Sequence, residues 1–466
     1  MTKAHFLISA PSSNSGKTTL TLGILRALRL KGLAVQPFKC GPDYIDPLHH
    51  EAACGRQSVN LDTFMASQDH VQQVYQRLAK SAAVSVTEGV MGLFDGAVKM
   101  EGSSASIAEL LGLPVILVVD ARSMAYSAAP LLYGYNNFYK GIKVAGVIFN
   151  FVNTPSHYSF LEDACKDVGV EALGYLPKTP AFAIPSRHLG LQLPEERDFD
   201  KGLDLLAEQI CQTIDLDRLL EITSLKLSDE SDALDATCIH TTKDADLNSP
   251  VNLRIAVARD AAFSFTYQQN IEALSRLGTI YWFSPLTDDR LPEVDFLYLP
   301  GGYPELYAKE LSENRSMTQS VFDYCDGGGV VWAECGGMMY LGQSLVDQGG
   351  GLFPMSRVFN FSTSMERAKL SLGYRKLVME DMQIRGHEFH YSNLIEDMEE
   401  ASNAMLDLQV FTARDREVST SLYQHKNTYA SYLHLYWGEN DDFLKYLISR
   451  SSSTQVARNS KTITTG

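Results

Sequence analysis

Short, mainly apolar runs separated by helical periodicities constrain this chain more than any other feature. Residues 6–10, 83–88, 114–120 and 144–150 are such runs, and so are 253–258, 296–299 and 330–333. A strand that alternates apolar and polar residues can leave one face in water, whereas a continuously apolar strand must be covered on both. Strands of the second kind alternating with helices predict an α/β fold class, here two open, mainly parallel sheets with helices on both faces. The length of 466 residues accommodates two or three domains. Residues 226–250 are dominated by Ser, Asp, Thr and Lys, a composition that cannot bury a core. We therefore expect one domain over 1–225, a linker over 226–250, a second domain over 251–448 and a disordered polar tail over 449–466.

The formal charge of -16, from 40 basic and 56 acidic residues, argues against nucleic acid or an anionic membrane as the main partner. An anionic ligand must then be held by local groups. The seven cysteines are scattered and include no CxxC pair, which speaks for a reducing compartment and against a disulfide framework or a structural zinc site. The opening Met-Thr-Lys-Ala-His carries no secretory signature, and no apolar run approaches the ~18 residues of a membrane span. A cytoplasmic location is expected, and self-association into a homodimer is left open.

The first apolar run leads into Pro11-Ser-Ser-Asn-Ser-Gly-Lys-Thr-Thr19 and then into a helical pattern carrying Leu20, Leu22, Ile24, Leu25 and Leu28. Strand, small-residue loop, Gly-Lys-Thr and helix form a phosphate cradle. Loop amides around Ser15, Gly16 and Thr19 receive phosphates, Lys17 reaches the β and γ positions, and Thr18 can ligate magnesium. Pro11 stands where the usual pattern has its first glycine. Asp43 and Asp46 lie on a Gly/Pro-rich loop after the next strand, and Glu88 ends the strand after that. Ligands and magnesium collect at these strand ends, although any one such acid can equally cap a helix or face water.

In the second half, residues 330–333 run into Glu334-Cys335-Gly336-Gly337 and an apolar helix. This is a thiol version of the nucleophile elbow, with Cys335 lifted above the sheet edge and the Gly336 amide free to hold an oxyanion. A helix N-terminus beneath the sulfur is expected to favour thiolate. Residues 296–305 end a strand in Gly301-Gly302, a turn able to aim a second amide at the same place. His434 ends a short apolar strand about a hundred residues beyond the cysteine. Thiol, oxyanion turn and histidine along one sheet are the parts for acyl transfer from a carboxamide.

These residues carry a resemblance. Residues 251–447 resemble the class I glutamine amidotransferase domain of the subtype found in cobyrinic and cobyric acid synthases. Members often have His-x-His where this chain has His434-Leu435-Tyr436, so a histidine-orienting third residue is not identified. The first half resembles the ATP-binding domain of dethiobiotin synthetase and the cobyrinic acid a,c-diamide synthases, through Gly-Pro-Asp43-Tyr44-Ile-Asp46-Pro, Glu88-Gly-Val-Met-Gly-Leu-Phe-Asp-Gly and Arg187-His188-Leu-Gly-Leu. The resemblance implies that Asn150 lies near the adenine and Asp46 and Glu88 near magnesium. It also implies that Asp43, Tyr44, Arg187 and His188 meet the substrate.

The activity so implied is ATP- and glutamine-dependent amidation of the a and c carboxylates of cobyrinic acid, a corrinoid acid, with L-glutamine and ATP as the other small-molecule substrates and Mg2+ as cofactor. Hydrogenobyrinic acid and nickel sirohydrochlorin remain open as alternatives. A reading of another class is a partitioning-type regulatory ATPase carrying a degenerate amidotransferase fold. Such proteins often have a second lysine early in the phosphate loop, and positions 11–15 contain none.

Overall fold

The computed structural model describes residues 3–178, 196–225, 252–379, 382–396, 404–405, 409–447 and 449. The chain divides into two compact units, Met1–Thr242 and Lys243–Gly466.

In the first unit seven parallel strands lie in the order Val59–Leu61, Val35–Cys40, Val84–Glu88, Lys3–Ser9, Val115–Asp120, Val144–Asn150 and Glu171–Leu176. Ser224–Leu225 adds antiparallel to the N-terminal strand. That strand is central, and later strands extend the sheet to either side of it. The phosphate loop therefore leaves the sheet at a topological switch point, where open α/β sheets form their crevice. The helix Lys17–Leu30 buries Leu20, Leu22, Ile24, Leu25 and Leu28 as the periodicity requires. Leu203, Leu206, Ala207 and Ile210 of the helix Glu196–Thr213 share its core. The two helices meet at Gly23, where a Cβ would lie 2.8 Å from Ile210 Cγ1.

The second unit is built on a seven-stranded sheet ordered Gly278–Phe283, Leu253–Ala258, Phe296–Leu299, Val330–Glu334, Thr428–Ser431, Leu422–His425 and Ala404–Met405. Its first five strands are parallel and its last two antiparallel. One core cluster packs against Ala308–Glu313, Arg315–Asp326 and Gly336–Leu341. The other combines the helix Gln268–Leu277 with an antiparallel sheet of five strands, Glu417–Val418, Gln409–Thr412, Ser371–Met379, Met382–His390 and Leu433–Tyr436.

This second sheet corrects one expectation. The apolar stretch around His434 is two strands, not one: Thr428–Ser431 pairs with the nucleophile strand, and Leu433–Tyr436 pairs with Met382–His390. The break falls at Tyr432. Ser431 carries it, because its carbonyl accepts the Cys335 amide at 2.7 Å while its hydroxyl accepts the Leu433 amide at 3.2 Å. Thiol and histidine thus come from different sheets.

Candidate active sites

At the phosphate loop, Gly16 has φ 88° and a Cβ placed on it would sit 1.9 Å from Asn150 Nδ2. Both facts demand glycine. The first helical hydrogen bond runs from the Leu20 amide to the Gly16 carbonyl at 3.0 Å, so the amides of Lys17, Thr18 and Thr19 have no partner within the helix. The Ser15 hydroxyl closes the loop on the Ser12 carbonyl at 2.9 Å. Lys17 Nζ donates to the carbonyls of Ser12 at 3.2 Å and Met91 at 2.6 Å. Burial, and after it the charge of Lys39, lowers Lys17 to about 8. Asn150 braces the loop from behind, its Nδ2 donating to the Ser15 carbonyl at 2.9 Å and its Oδ1 accepting from the Phe151 amide at 2.9 Å.

Beside the loop, Thr18 Oγ1 donates to Glu88 Oε1 at 2.7 Å and lies 3.4 Å from Asp46 Oδ2. Asp46 is in the first turn of the helix Ile45–Cys54 and not on a loop. Lys39, a residue not singled out in the sequence, bridges the two acids at 2.5 Å to Asp46 and 2.9 Å to Glu88. Burial alone would lower Lys39, but Asp46 and Glu88 outweigh it and raise the ammonium. In return Lys39 overcomes the burial cost on Glu88 and keeps it ionised. His50 Nε2 lies 2.7 Å from Glu88 Oε2, one helical turn past Asp46.

Thr18, Asp46 and Glu88 thus converge as oxygen donors only. That set fits magnesium, a hard cation that pairs one or two carboxylates with phosphate oxygens and retained waters. Among the described residues no group of three or more His, Cys, Asp or Glu is arranged to hold a metal.

Asp43, expected at the substrate, uses Oδ1 to cap the same helix, accepting from the amides of Ile45 at 2.9 Å and Asp46 at 3.2 Å. Tyr44 is buried at the helix start. Arg187 and His188 lie outside the described residues.

In the second unit Cys335 stands at φ 47°, ψ −104° between strand and helix. For a residue with a side chain this backbone is strained, and such strain concentrates at functional sites. It is possible because of what flanks it. A Cβ on Gly337 would meet the Leu299 carbonyl at 2.2 Å, and one on Gly336 would meet the Gly302 amide nitrogen at 3.0 Å. The Gly302 amide therefore sits close against the elbow, and the His434 ring packs on Gly301 next to it.

The electrostatics depart from expectation. Burial, followed by the negative charges of Glu305, Glu334 and Glu388, pushes the Cys335 thiol up and outweighs the helix amide at Gly336. The resting sulfur is a thiol, donating to the Phe389 carbonyl at 3.8 Å. Burial, then His387 and His390, lowers His434 well below its ordinary value, so the resting imidazole is neutral. A neutral thiol and a neutral imidazole are the protonation states from which proton transfer at the moment of attack can start.

Sequence reasoning missed the groups around this pair. His387 stacks on His434 with ring centroids 4.8 Å apart and 15° between planes. Its Nδ1 lies 2.9 Å from the Tyr267 hydroxyl. Glu388 accepts from Arg375 at 2.8 Å and Thr420 at 3.1 Å and lies 2.9 Å from His390. The signal was three ionisable residues, His387, Glu388 and His390, within five positions, on a strand paired with the one bearing His434.

A phosphate cradle and a thiol elbow in one chain define a class of protein, in which a nucleotide-binding domain is joined to a glutamine amidotransferase domain. Residues 6–191 match the CobQ/CobB/MinD/ParA nucleotide binding domain, and residues 254–442 match the CobB/CobQ-like glutamine amidotransferase domain. Over 455 residues the chain is 42% identical to a cobyrinate a,c-diamide synthase of Listeria innocua, covering 94% of this chain and 97% of the relative. It is 42% identical over 401 residues to a hydrogenobyrinate a,c-diamide synthase of Brucella abortus, covering 84% and 90%. A cobyrinate a,c-diamide synthase of Caldanaerobacter subterraneus is 38% identical over 462 residues, covering 96% and 98%. The chain belongs to this family of a,c-diamide synthases.

Proposed function

We propose that the chain is a glutamine-hydrolysing, ATP-dependent ligase that converts the a and c carboxylates of cobyrinic acid to amides in cobalamin biosynthesis. The observation that carries this reading is the strained elbow at Cys335, closed on one side by Gly302 and set against a histidine packed on Gly301. A structural cysteine has no need of that backbone.

In the second unit His434 takes the Cys335 proton as the sulfur attacks the glutamine carboxamide, and the Gly302 and Gly336 amides hold the oxyanion. Ammonia leaves with the proton from His434, and water then releases glutamate from the thioester. In the first unit the loop amides from Ser15 to Thr19 and Lys17 position the triphosphate. Thr18, Asp46 and Glu88 would hold magnesium, which would supply charge neutralisation for the phosphates. The substrate carboxylate takes the terminal phosphoryl group to give an acyl phosphate and ADP. Ammonia attacks the acyl carbon, phosphate departs, and the amide remains. The reaction uses ATP and glutamine, and we place it in the cytoplasm.

The test is incubation with ATP, magnesium, glutamine and either cobyrinic or hydrogenobyrinic acid, followed by mass spectrometry for one or two acid-to-amide conversions. Relatives named for each acid are 42% identical to this chain, so both arms are needed. Conversion of neither acid, with glutamine left intact, would return the chain to the regulatory ATPase reading.

A further inference from the structure

We infer that Glu334 is the third member of the glutaminase site, a positioning residue that orients His434 and steadies it when it becomes charged. The inference rests on the glutaminase reading above. An imidazole that takes a thiol proton on one nitrogen needs an acceptor at the other, both to fix the tautomer and to stabilise the imidazolium. On the histidine's own strand the residue two places on is Tyr436, which offers no carboxylate. Its ring packs 5.4 Å from that of Tyr267.

Glu334 comes instead from the neighbouring sheet, immediately before the nucleophile. It is 1% exposed, and its Oε2 lies 4.0 Å from His434 Nδ1. Three donors hold the carboxylate in place: the Tyr298 hydroxyl at 2.9 Å, Trp332 Nε1 at 3.0 Å and the Leu435 amide at 3.1 Å. The last is decisive, because it fastens the residue next to His434 to the residue next to Cys335. One side chain thereby spans the junction between two sheets that separately carry acid and base.

Among the described residues, the other groups whose charge acts on His434 are His387, His390 and Glu388, and each has a partner of its own. His387 covers its flat face and is engaged with the Tyr267 hydroxyl. Glu388 is taken up by Arg375, Thr420 and His390. A separation of 4.0 Å is a charge contact in the resting site. Such contacts shorten to hydrogen bonds when substrate binds, and exclusion of water strengthens them. Burial pushes the Glu334 carboxyl up to about 7, against the donors from Leu435, Tyr298 and Trp332 that lower it. The acid limb of glutaminase activity then reports this carboxyl, since His434 is held well below its ordinary value.

The experiment uses the full chain with Glu334→Gln and Glu334→Asp. Glutamine hydrolysis, ammonium-supported amidation and melting temperature are measured side by side. For Glu334→Gln we expect kcat for glutamine to fall about 100-fold, with KM for glutamine and ammonium-supported amidation retained and the acid limb moved to lower pH. Glu334→Asp keeps the charge but withdraws it, and should recover part of kcat with the limb in place. A Glu334→Gln enzyme with wild-type kcat, or a reduced kcat with an unmoved limb, overturns the inference. If Glu334→Gln fails to fold, the aspartate variant decides: wild-type kcat there overturns it equally. Persistent hydrolysis in Cys335→Ser would instead sink the glutaminase reading, whatever Glu334 does.

Discussion

The imidazole of His434 rests on the α-carbon of Gly301, so closely that a Cβ built on that glycine would lie 2.3 Å from Cε1. Ring and turn are therefore a single fitted unit. Gly301→Ala must displace the imidazole, and displacement of a catalytic group by about 1 Å costs roughly 100-fold in rate. We expect glutaminase activity to drop by that factor while amidation supplied with ammonium persists. Equal loss of both would show that the two activities do not separate in this way.

Lys17 titrates near 8 because burial and Lys39 both disfavour its charge. Its ammonium is present below that pH and lost above it. The apparent KM for ATP should accordingly rise as pH increases beyond about 8, and Lys17→Arg, which stays charged, should flatten the rise. Lys17→Ala should abolish amidation from either nitrogen source and leave glutamine hydrolysis intact.

Removing Lys39 tests the cluster that surrounds Thr18. Lys39→Met leaves Asp46 and Glu88 buried without their shared cation, a change that costs about 3–5 kcal/mol when one partner of a buried pair is deleted. We expect a lower melting temperature and a magnesium-dependent recovery larger than in the wild type. Calorimetry over a magnesium series measures both.

His387 is buried neutral, lowered to about 3 by burial and then by Arg375. The folded state therefore resists a proton that the unfolded chain accepts below the ordinary value of 6.5. Stability is full above that pH and declines as pH falls toward the folded value. Urea denaturation at pH 7.5 and pH 5 should show the decline, and His387→Asn should reduce the difference.

Much of this was legible in the sequence because it is local. The Gly-Lys-Thr turn, the elbow at Cys335 and the apolar strands each depend on neighbours a few residues away, and local sterics decide them. The glycines mark the limit of this: Gly16 and Gly337 lay inside recognisable turns, but the contacts that exclude a side chain there come from Asn150 and Leu299, distant in the chain. Lys39 was not legible, because a lysine ending an apolar strand acquires its meaning only from Asp46 on a helix and Glu88 on another strand. The pKa of Cys335 was misjudged for a related reason. A helix start favours thiolate, yet burial among three carboxylates prevails, and burial is not written in the motif.

The order of residues alone determined two α/β units, a phosphate cradle in one and a thiol elbow in the other, since strand and turn chemistry act over short distances. The tertiary structure alone decided that the strand leading to Cys335 and the strand bearing His434 belong to different sheets, that Glu334 lies 4.0 Å from the imidazole, and that Lys39 joins the two acids at Thr18. Most of those relations join residues some 50 to 100 positions apart, as Lys39 to Glu88 and Leu435 to Glu334, and their energies exist only once packing has excluded water.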